Sequence, residues 1–158
     1  MSSTKQAQAA TLQRYLDAWA KWDASLQLET FSKTFTQVTL PLGVGVPPRS
    51  RPEVEQVLPA LVATVNNYEL TVHHVVHDIE KNKAAVFATS RGTVPWGPWN
   101  VEYAVFITFS EAGDGIEKLE EYLDTAFLQD FGPKFGQHMH ALGGPSGVVA
   151  AAKSRQQA

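Results

Sequence analysis

The residues best able to move protons cluster in Leu119-Glu-Glu-Tyr-Leu-Asp124, where Glu120, Glu121 and Asp124 fall within six positions. If this segment is a strand, Leu119, Glu121 and Leu123 share one face, and Glu120, Tyr122 and Asp124 share the other. A carboxylate between two leucines on an apolar face loses solvation, and its pKa rises from about 4.3 toward neutrality. A group tuned in this way can act as general acid or base. If the segment is a helix, Ile116, Leu119, Leu123 and Phe127 form an apolar stripe and the carboxylates coat a wet surface. Propensity favours the helix, whereas the turn Glu111-Ala-Gly-Asp-Gly115 favours a hairpin strand. The local pattern leaves both open.

Histidine is the second candidate chemistry. In Glu69-Leu-Thr-Val-His-His-Val-Val-His-Asp78, strict alternation puts His74 on a face with Leu70, Val72 and Val76. It puts His73 and His77 with Thr71 and Val75. The apolar company makes His74 the expected pocket residue, the alternative being a satisfied core histidine. No inward carboxylate accompanies His73 and His77, and His138 and His140 stand only two apart, so no metal site is expected. Tyr103 shares a face with Val101 and Val105 and should offer its hydroxyl inward, as a substrate contact or a core tyrosine bonded to backbone. Gln37 and Thr39 can hydrogen-bond a substrate oxygen, and Trp19, Leu119 and Leu123 would wall the pocket. Asn100 and Glu102 fall on the opposite face, suited to a sheet-to-sheet contact.

These residues need a scaffold, and the chain is long enough for one. Its 158 residues fit a single domain over 1–143, with a flexible small-residue tail at 144–158. Leu12, Tyr15, Leu16, Trp19 and Ala20 mark an amphipathic helix. Trp22-Asp-Ala-Ser25 breaks it and caps a short second helix. Thr34–Leu42 reads as a strand ending at a proline. Ser50-Arg-Pro-Glu53 is a capping box that opens a third helix. Three β-branched and aromatic runs follow, separated by turn-like residues, as antiparallel strands would be. A net charge of −3, with no basic run, argues against nucleic acid or an anionic membrane as partner. The absence of cysteine removes disulfides and thiolate chemistry. With no apolar export segment near the N-terminus, a cytoplasmic location is expected.

The order helix, helix, strand, helix, then long antiparallel strands resembles the NTF2-like cone, and in particular its SnoaL-like branch. Tyr15–Asp23, Leu40-Pro-Leu-Gly43 with Arg51–Leu61, and Trp99–Asp124 carry the likeness. Together they look most like fungal SnoaL-like proteins of secondary metabolism. The resemblance implies an α+β fold, with a curved antiparallel sheet wrapped around three N-terminal helices, a C-terminal helix and an enclosed apolar pocket. It also implies a strand to about Asp124. Glu-Glu-Tyr-Leu-Asp is similar to the Arg-Asp-Tyr-Phe-Asp ending of limonene-type epoxide hydrolases, whose first acidic residue is catalytic and falls on Glu121. Those enzymes' Arg-x-Asp pair is replaced here by Ser90 and Gly92, and their water-holding Tyr and Asn by Gln37 and Thr39, so epoxide hydrolysis by that route is not expected. Dehydratases of the superfamily use histidines on the central strands, so the resemblance implies His74 as an acid–base partner for Glu121. The expectation is a cofactor-free cyclase, isomerase or dehydratase, acting on an apolar polycyclic intermediate as a homodimer. The alternative is a non-catalytic binding or dimer-scaffold protein.

Overall fold

The computed structural model describes residues 3–157. The first helix, α1 (Ser3–Ala20), ends where Trp22 turns the chain with a left-handed φ of 53°. Asp23 then caps α2 (Ala24–Glu29), its carboxylate accepting the Leu26 amide at 3.0 Å. Strand β1 (Phe31–Leu40) follows, then a short 3-10 turn and the two-residue strand β2 (Arg49–Ser50). In α3 (Arg51–Thr64) the capping box forms: the Glu53 carboxylate accepts the Ser50 amide at 2.7 Å and its hydroxyl at 2.6 Å.

The strands β3 (Asn66–Asp78), β4 (Lys83–Val94), β5 (Gly97–Phe109) and β6 (Ile116–Tyr122) complete one sheet in the order β2-β1-β6-β5-β4-β3. Every neighbouring pair is antiparallel except β1 and β6. The sheet is curved and does not close, so the α+β cone expected from the resemblance is what forms. The hairpin into β6 depends on Gly113, whose φ is +78° and whose added Cβ would sit 2.7 Å from the Thr4 carbonyl oxygen.

Alternation along β4 and β5 is strict. Ala84, Val86, Ala88, Ser90 and Val94 from one strand are buried, as are Trp99, Val101, Tyr103, Val105, Ile107 and Phe109 from the other. These residues meet Leu12, Tyr15 and Trp19 of α1 and form the main core on the concave side. After β6, Asp124 caps α4 (Thr125–Ala141) through the Ala126 amide at 2.6 Å. The chain past Gly144 corrects the expectation of a flexible tail. Pro145–Gln156 is a helix, α5, because Val148 is fully buried against Ala60 of α3 and Phe135 of α4. Tertiary packing of this kind can hold a helix whose other side chains are small.

Candidate active site

Helices α1, α2, α3 and α4 cover the concave face of the sheet, leaving a cavity of about 300 Å³. Its walls are largely apolar. Phe31, Val54, Leu58, Leu61, Phe127, Phe131 and Met139 contribute, with Trp19, Trp22 and Trp99 as flat aromatic surfaces. Against this background the polar groups are few: Tyr15, Gln27, Gln37, Thr39, Arg49, Tyr103 and Glu121. A small apolar chamber with a handful of aimed polar groups is the usual form of a small-molecule site.

Strand pairing explains how Glu121 reaches the chamber. In β6 it pairs with Thr39 on one side and Val105 on the other, both on the concave face. Leu119 of the same face is 2 % exposed. Glu120 points the other way and pairs with Lys118 at 3.2 Å on the convex face. Gln37 Nε2 donates to Glu121 Oε2 at 2.6 Å. Burial raises the Glu121 pKa above the ordinary carboxylate value, while the Gln37 bond and the charge of Arg49 pull in the opposite direction. The carboxyl therefore keeps its proton to a higher pH than a surface glutamate.

No protein-family model matches the chain. Among curated relatives, the monooxygenase AgnL5 of Paecilomyces divaricatus is 65% identical over 150 residues, covering 95% of this chain and 93% of AgnL5. The monooxygenase AacuO of Aspergillus aculeatus is 57% identical over 153 residues, covering 97% of this chain and 96% of AacuO. Among solved structures, the pinacolase BvnE of Penicillium brevicompactum superposes with a TM-score of 0.75 at 16% identity, covering 87% of this chain and 96% of BvnE. The chain belongs to the family of AgnL5 and AacuO, and its fold is the NTF2-like one it shares with BvnE.

Three tyrosines stand near the carboxyl, and two of them, Tyr15 and Tyr103, line the cavity. Burial raises the Tyr15 pKa well above its usual value, and the charges of Glu121 and Tyr68 raise it further. The Tyr103 phenol is raised in the same way, chiefly by burial. Tyr68 is pushed up to about 12, again mainly by burial. All three therefore remain protonated donors at any physiological pH. Tyr103 Oη lies 2.9 Å from Ser90 Oγ, and Ser90 Oγ accepts the Trp99 indole N–H at 2.8 Å. While it accepts from Trp99, the Ser90 hydroxyl can donate to Tyr103, whose phenolic proton can then turn to the Tyr68 hydroxyl or to a ligand. Trp19 holds the Tyr103 ring edge-on at 5.1 Å.

The structure thus brings together Glu121, Gln37, Thr39, Tyr103, Leu119, Leu123 and Trp19 around one cavity. It does not bring His74 there. The register between β3 and β4 shifts between Val72 and His74, so Val72 opposes the inward Ala88 while His74 opposes the outward Phe87. This bulge inverts the alternation and leaves His74 exposed on the convex face. His73 also stacks on Phe87 and reaches Thr89 Oγ1 at 2.9 Å, whereas His77 contacts Gln8 Oε1 of α1 at 3.1 Å. The acid–base pairing of Glu121 with His74 is therefore withdrawn. Among the described residues no group of three or more His, Cys, Asp or Glu side chains could hold a metal.

Three polar groups of the cavity escaped the sequence reading. Tyr15 was visible only as part of an apolar helix face. Arg49 sits in what reads as loop, yet Pro47 and Pro48 extend the chain so that Arg49 pairs with Gln37 across β1 and β2. That register puts its guanidinium on the face of Gln37 and Glu121. Gln27 reaches the cavity from α2, a helix too short to show a face in its sequence.

Proposed function

We propose that the protein is a cofactor-independent isomerase, cyclase or dehydratase, with Glu121 as its general acid–base group and an apolar polycyclic intermediate of fungal secondary metabolism as its substrate. The observation that carries this reading is the Gln37–Glu121 contact inside a largely apolar cavity. Gln37 occupies Oε2, which leaves Oε1 as the oxygen that holds the proton and faces the ligand. Glu121 protonates a substrate oxygen, and the ring system closes, rearranges or loses water. The resulting carboxylate is then held by the Gln37 amide and the nearby charge of Arg49 until it recovers a proton from the rearranged substrate. The cycle is proton-neutral and needs no external electron. Tyr103, oriented through Ser90, donates to a second substrate oxygen as negative charge develops there. A pinacol-type rearrangement, the chemistry named for the fold neighbour BvnE, is one reaction such an acid can start.

A second reading is favoured by the monooxygenase names of AgnL5 and AacuO. The same carboxylate, acting as base, could remove a proton from an activated methylene, and the substrate carbanion would react with dioxygen. In that balance one methylene and one dioxygen give one ketone and one water, so the substrate supplies all the electrons. The two readings separate cleanly. The polycyclic intermediate that accumulates in a strain lacking this gene is incubated with the purified protein under nitrogen and under air. Turnover under nitrogen that is lost in Glu121→Gln supports the acid–base isomerase. Turnover only in air, with one dioxygen consumed per product, replaces it with the oxygenase, and no turnover under either gas favours the binding-protein alternative.

We also propose that the chain pairs with a second copy through the convex face of its sheet. Phe106 and Tyr122 are 45% and 49% exposed there. They stand among Arg91, Glu102, Lys118 and Glu120, so a two-fold axis could set unlike charges opposite one another.

A further inference from the structure

The helical wall of the cavity holds a polar group that nothing among the described residues satisfies. Gln27 of α2 is 4% exposed and lines the cavity, and its Nε2 is buried with no hydrogen-bond partner among those residues. Its main chain is fully engaged. The Gln27 amide donates to the Asp23 carbonyl at 3.1 Å, and its carbonyl accepts the Thr30 amide at 3.0 Å and the Thr30 hydroxyl at 2.6 Å. The backbone is thus pinned between the α2 cap and the start of β1, so a shift of the main chain cannot relieve the side chain. Buried donors in native proteins are nearly always paired, and an unpaired one costs stability. Leucine would fill much the same space without that cost. The side chains of Phe31 and Val54, which line the same cavity, have nothing to offer a donor.

We infer that the missing partner is the ligand: Gln27 Nε2 donates to an oxygen acceptor on the molecule that fills the cavity. Glu121 is on the sheet and already bonded to Gln37, while Gln27 is on the helical wall. The ligand therefore carries at least two oxygen functions: one that meets Glu121 and Tyr103, and a separate carbonyl, ether or hydroxyl oxygen that meets Gln27. This narrows the substrate class from an apolar polycycle to an oxygenated one with acceptors on two sides of its ring frame. The inference rests on the cavity being a ligand site, and it is independent of whether Glu121 transfers the proton.

The test is a binding measurement without turnover, read from quenching of the cavity tryptophans. Two tricyclic probes are compared, hydroxyfluorenone and hydroxyfluorene, which share a hydroxyl for the Glu121 side and differ only in the ketone oxygen. In the wild-type protein the ketone should bind about fivefold more tightly, the worth of one neutral hydrogen bond. In Gln27→Leu that preference should fall to about one, while the Tm of the empty protein stays level or rises. An unchanged preference in Gln27→Leu overturns the inference, as does a preference lost in Tyr103→Phe instead. A lowered Tm in empty Gln27→Leu assigns Gln27 to the fold and overturns it equally. Failure of the Glu121 reading looks different: turnover survives in Glu121→Gln while the probe preference is unaffected.

Discussion

The two faces of β6 differ by a single residue of register, yet they treat carboxylates in opposite ways. Glu120, on the convex face, is half-buried, with Lys118 beside it at 3.2 Å. Glu121, on the concave face, has a neutral amide at 2.6 Å and a cavity of aromatic and aliphatic walls. A lysine cation stands beside Glu120, whereas burial raises the Glu121 pKa above the ordinary carboxylate value. The helices make this difference, since α1, α3 and α4 cover one face of the sheet and leave the other bare. What separates the two carboxyls is which side of the strand is roofed.

The largest effect should come from exchanging the two carboxyls for amides one at a time. Glu121→Gln is expected to lower kcat by about 10²–10⁴, the usual range for losing a general acid–base group, with unchanged far-ultraviolet circular dichroism. Glu120→Gln should leave kcat within about twofold, because exposed ion pairs contribute little. Equal losses from the two substitutions would erase the functional distinction between the faces.

The bare face gives the next effect. Phe106→Glu places a charge where a second copy would pack, and should weaken association by about thirtyfold, as removal of a central aromatic anchor commonly does. Sedimentation should then show monomer at concentrations where the wild type is dimeric, with turnover per chain retained. A wild-type protein that sediments as a monomer would reject the pairing, and the convex face would be only a solvated surface.

A smaller effect belongs to the roofed face. Tyr103→Phe keeps the ring against Trp19 and removes only the hydroxyl oriented by Ser90. A loss of roughly five- to tenfold in kcat/KM is expected, the scale of one neutral hydrogen bond. No change would return Tyr103 to the core.

The sequence showed which residues belong to the roofed face where alternation is unbroken, and misplaced them where it is not. Val101, Tyr103 and Val105 went inward as spaced. The strand at Leu119–Leu123 could not be decided from its own residues, since both periods fit. Only the order of the surrounding elements, matched to a known fold, resolved it. His74 failed because a bulge adds one residue to a strand without leaving a mark in a run such as His73-His-Val-Val76, where neighbours differ little in polarity. Arg49 and Gln27 were invisible for another reason. Each reaches the cavity through a long-range pairing or packing that no local period encodes. The small-residue tail looked disposable because its one anchoring residue, Val148, carries no periodic signal.

The smallest expected effect is a slope. Because burial raises the Glu121 pKa in the folded protein, the native state holds this proton to a higher pH than the unfolded chain does. Between the unfolded and folded values the native state binds more protons, so stability falls as pH rises. The contribution of this group is fully present below its unfolded pKa and is lost as pH climbs through the folded one. Glu121→Gln cannot titrate, so the variant should lack this slope. Wild type and variant should therefore diverge in Tm as the pH is raised from acid through that window, with the variant relatively more stable at the upper end. Turnover that depends on Glu121 as an acid should decline over the folded titration in the same direction. If the Tm difference is flat with pH, burial does not shift this carboxyl, and the roof over β6 does not do what separates its two faces.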